Sequence, residues 1–273
     1  DSDEVLEPSS AGNLRVWLCA VPEHCTLGMV TISMCRDDGT EYQNFLAERI
    51  LRGGRAIRFR SDMHNWVDVP ASQRCAIPEC RIIHNRGIRS SESREQRNRQ
   101  RLAMAEGGLT EKIRKDPTDR RSLFYLAGTR YDDGNMAGAI ETYERYMTLS
   151  EWSEEKYQAA YMLGQAYLRE GKPDEARSVL LANVGINWRR GEIMCLLGDI
   201  AKSASRGDEA EWWYKAASLK VQPNDPMFIE PESYSWRPYA GLFELAVEDS
   251  RNDDALKYAK LAVELGHPNP GAF

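Results

Sequence analysis

A mostly helical protein is the fold class this 273-residue sequence predicts: a stack of helical hairpins from about Asp116 to the C-terminus, behind a smaller mixed α and β segment. Three observations predict it. Leu126, Leu163, Leu197 and Leu242 are each followed thirteen residues later by an alanine, at Ala139, Ala176, Ala210 and Ala255. Turn signals fall inside three of those windows, at Asp133-Gly134, Gly171-Lys172-Pro173 and Gly207-Asp208. Residues 1–88, by contrast, hold short β-branched, alternating runs.

The spacing has a physical meaning. Ala127, Gly164 and Gly198 are small where the first helix of each hairpin must let the second approach, and the four alanines do the same from the second helix. Tyr143, Leu180 and Tyr214 stand four residues after those alanines, on the same helical face, and are expected to fill the space between helices. One hairpin cannot bury its apolar face alone, so stacked neighbours supply the core. The clearest copy reads Leu163-Gly164-x-x-Tyr167, then Gly171, Ala176 and Leu180. It resembles the tetratricopeptide repeat, and about four copies are expected over residues 116–273.

The alanines lie 37, 34 and 45 residues apart, and the last gap exceeds one repeat. The excess falls in Val221–Ser235, whose Pro223, Pro226 and Pro231 exclude a helix interior. It reads as a plain insertion or, given Tyr234-Ser235-Trp236, as part of a working surface. In the N-terminal part, Val30–Met34, Ala56–Phe59 and Arg81–His84 read as strands, Asp37-Asp38-Gly39 as a turn, and Tyr42–Leu51 as a short helix. Residues 89–115 read as a basic helical linker: from Arg86 to Arg101 six arginines face two glutamates, Glu92 and Glu95.

Composition narrows the function classes. Hydrophobic residues make up 42% and charged residues 29%, as in ordinary globular proteins, and no apolar run is long enough for a membrane span. The chain opens on acidic residues instead of a basic and then apolar leader, so a cytoplasmic location is expected. A net charge of −6 disfavours a general nucleic-acid binder. Cys19, Cys25, Cys35, Cys75, Cys80 and Cys195 form no CxxC pair and read as buried or free thiols; Cys75, Cys80 and His84 make an incomplete zinc set.

A second resemblance rests on motifs in order. Asp1-Ser2-Asp3-Glu4 followed by Val5-Leu6 is succeeded by Phe59-Arg60, Met63-His64-Asn65-Trp66 and Ile82-Ile83-His84. Arg97-Asn98, Asp116-Pro117, Arg120-Arg121, Phe124-Tyr125-Leu126-Ala127, Tyr143-Glu144-Arg145-Tyr146, Glu151-Trp152 and Tyr234-Ser235-Trp236-Arg237 follow. The chain thereby resembles the C-terminal portion of family-two glycosyltransferases of the GT-A fold that carry a tetratricopeptide tail. The resemblance implies that residues 1–88 are an incomplete α+β GT-A-like segment beginning at the Asp-x-Asp motif. In the family the nucleoside is held by strands and loops that precede that motif.

The resemblance further implies a Mn²⁺ or Mg²⁺ ion held by Asp1, Asp3 and His64, with Arg60 and Trp66 against the substrate. Hard carboxylate oxygens suit such an ion, which would offset charge on a departing diphosphate. An inverting transferase also needs a carboxylate base. The family's His-Glu pair is His64-Asn65 here, an amide cannot take a proton, and Asp62 and Asp68 are the nearest carboxylates in sequence. The expected function is then transfer of a sugar from a nucleotide sugar to an acceptor, a protein or peptide fitting the repeats best, with homodimerisation as a further use of the repeats. The alternative is a non-catalytic adaptor that binds a peptide along the first helices of its repeats.

Overall fold

The computed structural model describes residues 4–35, 41–52, 59–60, 66–85 and 91–272. The chain divides into two compact units, Asp1–Glu95 with Asn224–Ile229, and Gln96–Pro223 with Glu230–Phe273.

The first unit runs β1 (Glu4–Leu6), α1 (Ser10–Ala20), β2 (Leu27–Cys35), β3 (Glu41–Leu51), β4 (Phe59–Arg60), β5 (Trp66–Val67) and β6 (Arg74–Asn85). Four strands form one sheet in the order β1-β6-β2-β3, while β4 and β5 pair as a separate ribbon. β6 runs parallel to β2 and antiparallel to β1, and β3 is antiparallel to β2. Val30, Ile32, Met34, Ala47, Ile77 and Cys80 form its core, with Leu14 and Trp17 of α1 packed against them. The strands read at Val30–Met34 and Arg81–His84 lie inside β2 and β6. Asp37-Asp38-Gly39 and residues 56–58 lie outside the described residues.

Tyr42–Leu51 is a strand and not the short helix its local composition suggests. Leu46, Ala47, Glu48 and Arg49 are good helix formers, but β2 is buried almost throughout and needs a second hydrogen-bonding neighbour. β3 supplies it, pairing from Leu27↔Leu51 to Cys35↔Glu41. A register shift, in which Met29 faces Glu48 but Gly28 faces Ile50, changes the alternation so that Phe45, Ala47 and Ile50 all pack on the core. Non-local pairing here outweighs local propensity. On the other side of β3, Asn44 and Ile229 exchange both backbone hydrogen bonds at 3.0 and 2.8 Å, and the Leu46 amide donates to the Asp225 carbonyl at 3.2 Å. Phe45 and Phe228 meet edge to face, 4.8 Å between ring centres. Residues 224–229 therefore belong to this unit although they interrupt the repeats in sequence.

α2 (Ser91–Lys115), which belongs to the second unit from Gln96 on, precedes four hairpins: α3 (Arg120–Asp132) with α4 (Met136–Leu149), α5 (Ser153–Arg169) with α6 (Pro173–Asn183), α7 (Glu192–Ser203) with α8 (Gly207–Ser218), and α9 (Arg237–Glu248) with α10 (Asn252–Glu264). Asp119 caps α3 by accepting from the Ser122 amide, Asn135 caps α4 by accepting from the Gly138 amide, and Pro173 opens α6. Gly134 and Gly171 take the left-handed conformation in the first two turns. In the third that position falls on Ser205, not on Gly207, which opens α8.

The small residues sit where the spacing places them. Ala139, Ala176 and Ala210 are wholly buried. A Cβ on Gly164 would lie 2.7 Å from Leu180 Cδ2. Tyr214 of α8 lies between two helices, because a Cβ on Gly198 or on Gly241 would approach its ring to 2.6 or 2.5 Å.

Candidate functional site

Asp1, Asp3, Asp62 and His64, expected from the sequence as metal ligands or base, lie outside the described residues. Arg60 and Trp66, the expected substrate contacts, are register partners across β4 and β5. Asp68 follows β5 and is exposed. Among the described residues no group of three or more His, Cys, Asp or Glu side chains is placed to hold a metal. The cysteines of the incomplete zinc set have different surroundings: Cys80 packs in the sheet core, while Cys75 Sγ lies 3.9 Å from His24 Nε2. Burial, with Cys25 alongside, pushes the Cys75 thiol up to about 11, and all six cysteines are free thiols.

The strongest convergence of polar side chains is in the second unit, along the first helices of the hairpins. Gln158, Tyr161 and Gln165 of α5 are three and four residues apart and share a face, as do Glu192, Cys195 and Asp199 of α7. α9 begins with Arg237 on the same side. Tyr161, Glu192, Cys195 and Arg237 converge on Glu230 and the short 3-10 turn that follows it, Pro231–Tyr234.

The Glu230 carboxylate accepts from Tyr161 Oη at 2.7 Å and from Arg237 Nη1 at 3.2 Å. Arg237 Nη2 also donates to Asp199 at 2.7 Å, and Asp199 accepts from Tyr214 Oη at 2.6 Å. Tyr234 Oη donates to Glu192 at 2.7 Å and accepts from the Gly191 amide at 3.1 Å. The Glu230 amide donates to Glu192 at 3.4 Å, and Cys195 Sγ donates to the Ser233 carbonyl at 3.8 Å. Beneath this layer Arg190, fully buried, donates to both Glu192 oxygens at 2.8 and 3.1 Å and to Gln158 at 3.0 Å, and lies over the Tyr157 ring.

Burial sets the protonation states. It raises the Glu230 carboxyl, an effect that Arg237 and Tyr161 partly offset. It also raises the phenols of Tyr161 and Tyr234 well above their ordinary value, which keeps both as donors. For Arg237 burial alone would lower the value, but the surrounding phenol, thiol and carboxylates outweigh it and the guanidinium is held charged. The Cys195 thiol is pushed up to about 12, mainly by burial, so it is not a nucleophile at neutral pH. The arrangement is a set of fixed donors and acceptors that grips a polypeptide backbone and two of its side chains.

Sequence reasoning named Tyr234, Ser235, Trp236 and Arg237 but not Tyr161, Arg190, Glu192, Asp199 or Glu230. The available signal was the polar stripe itself, at the three- and four-residue spacing that marks one face of α5 and of α7.

Farther along the row, Tyr131 Oη donates to Gln165 at 2.8 Å, and the exposed Arg169 lies over the Tyr131 ring at 4.2 Å.

No protein-family model matches the chain, and no curated protein matches it. Solved structures do. The crystal structure of MamA superposes with a TM-score of 0.52 at 22% identity, over 65% of this chain and 95% of that one. Residues 41 to the end of MamA from Desulfovibrio magneticus RS-1 give 0.50 at 19% identity, over 64% and 92%. A tetratricopeptide repeat protein from Parabacteroides merdae gives 0.50 at 15% identity, over 65% of each chain. At such identities the likeness speaks for the fold alone, and the helical hairpins of this chain have the tetratricopeptide-repeat fold.

Proposed function

We propose that the protein is an interaction scaffold whose repeat unit binds a polypeptide along the first helices of its hairpins. The observation that carries this is the convergence of Tyr161, Glu192, Cys195 and Arg237, from three successive first helices, on one short stretch of chain, Glu230–Tyr234. Such a surface recognises backbone and side chains together, as repeat surfaces do. The exposed part of the row near Gln165 and Arg169 is where an outside partner meets it first.

A photo-crosslinking amino acid placed at Gln165 or Arg169 in cells is expected to trap a discrete protein adduct. The same probe at Lys260, exposed on α10, is expected to trap none. Equal adducts at both sites, or none at either, would remove the scaffold reading.

One observation favours a second reading, a metal-dependent glycosyltransferase. β1 follows directly on Asp1-Ser2-Asp3, and its first residue, Glu4, is the register partner of His84 near the end of β6. A strand-end histidine thus pairs with the residue that follows the Asp-x-Asp motif in sequence, which supports the family resemblance. Two carboxylates and an imidazole, from Asp1, Asp3 and His64, fit Mn²⁺ by donor chemistry, and the ion would supply charge compensation for a diphosphate. Asp62 and Asp68 remain the proposed bases, with Arg60 and Trp66 toward the substrate. Calorimetric titration with Mn²⁺ is expected to show uptake weakened about ten-fold or more by Asp3→Asn, since the amide keeps the shape and loses the charge. Metal uptake and nucleotide-sugar binding that are both indifferent to this change would remove the reading.

A further inference from the structure

We propose that the row formed by α5, α7 and α9 is a recognition groove for an acidic-then-aromatic peptide, and that the chain occupies it in cis with its own residues 230–235. The proposal rests on the scaffold reading and names the ligand chemistry of that surface.

Two subsites define the ligand. The first takes a carboxylate: Tyr161 Oη and Arg237 Nη1 converge on Glu230, and Asp199 holds the same guanidinium from its other arm. The second takes a phenol four residues on: the Tyr234 hydroxyl donates to Glu192 and accepts from the Gly191 amide, so both its donor and its acceptor capacity are used. Between them the backbone is read at the Glu230 amide and the Ser233 carbonyl. Pro231 opens the single 3-10 turn that joins these points, a first-turn position where its missing N–H costs nothing.

Several features mark the segment as an occupant as well as a connection. It is not a repeat helix, and the spacing of the alanines shows that the hairpins need no such stretch between α8 and α9. Its side-chain contacts go to first helices: Glu230 and Tyr234 reach α5, α7 and the start of α9, which are the elements an outside peptide would use. The Glu192 side that receives Tyr234 is fixed from below by Arg190, itself held by Gln158. The Glu192 subsite therefore has supports that do not come from the segment. A cis occupant has a high effective concentration, so an outside peptide of the same chemistry competes poorly until the segment's own contacts are weakened.

The test uses a fluorescent peptide of residues 228–236, followed by anisotropy against the full chain. Against the double variant Glu230→Ala, Tyr234→Phe, the peptide is expected to bind about ten-fold or more tightly than against the unaltered chain, because the cis competitor has lost both anchors. The same peptide carrying alanine in place of its Glu230 is expected to lose that gain. Equal binding to the two chains, or no binding to a double variant that retains its helical circular dichroism, overturns the proposal.

Amide exchange of the unaltered chain gives a second measurement that does not depend on the variant. The Ser233 and Ser235 amides are expected to exchange through an opening that leaves the α5 and α7 amides protected. Exchange of all of them in one common step would make the segment plain core and overturn the proposal. Neither measurement involves an outside protein, so their failure leaves the crosslinking result standing, and a failed crosslink leaves these measurements intact.

Discussion

Gly241→Leu is expected to destabilise the repeat unit by about 3 kcal/mol, the upper end for forcing extra atoms into a packed core. Tyr214 is the reason. Its ring is fully buried and its hydroxyl is held by Asp199 at 2.6 Å. A Cβ on Gly241 alone would come within 2.5 Å of Cζ, and one on Gly198, in a different helix, within 2.6 Å of Cε1. The ring cannot retreat from one helix without striking the other.

The alanine variant separates packing from helix propensity. Gly→Ala in a helix interior gains about 1 kcal/mol from propensity, so Gly241→Ala loses less than the leucine variant but still loses. Gly107→Ala, in α2 with nothing near its Cβ, should be stabilising by about that same 1 kcal/mol. Thermal melts can read these differences, since 1 kcal/mol moves the midpoint by about 2–4 °C for a unit of this size. The double variant Gly241→Leu, Tyr214→Ala should be less damaged than the sum of its parts, because the leucine enters the space the ring vacates. Strict additivity would mean that Tyr214 does not set the cost.

Glu192→Ala is expected to cost about 3–5 kcal/mol, the range for removing one partner of a buried ion pair. Arg190 and Glu192 are both fully buried. The carboxylate takes two guanidinium N–H bonds, the Tyr234 hydroxyl and the Glu230 amide. Its loss leaves a buried guanidinium with only part of its compensation, and an unsatisfied buried charge costs more than the intact pair contributes. Replacing both partners, as Arg190→Met with Glu192→Leu, should be less harmful than Glu192→Ala, because no buried charge remains. Denaturant unfolding monitored by circular dichroism measures all three. A Glu192→Ala cost below about 1 kcal/mol would place the pair among those that contribute little net stability.

The hairpins were legible in the sequence because their determinants are local. A small residue in a first helix, an alanine thirteen positions on and an apolar residue four beyond that all act within one hairpin, and the next repeats the pattern. Gly164 with Leu180, Gly198 with Tyr214 and the buried alanines follow that arithmetic. The fourth repeat shifts its small position to Gly241, just before the repeat leucine, because it meets Tyr214 of the preceding hairpin.

Partners distant in sequence were less legible. Nothing inside Tyr42–Leu51 says that β2 will claim it as a strand, since that depends on pairing with Leu27–Cys35 and on a register shift at Gly28 and Met29. Composition marks Val221–Ser235 only as non-helical. It cannot say that residues 224–229 pair beside β3 while Glu230 and Tyr234 are held by side chains up to 69 positions away. The sequence by itself determined the repeats, their turns and the non-helical insertion, since each is written in spacings of a few residues. Only the tertiary structure decided that the insertion has a place in each unit, and that Arg190 and Glu192 are buried as a pair, because the strand pairing of the insertion and the contacts of Gln158 and Tyr234 with the pair join segments that meet only once the chain has folded.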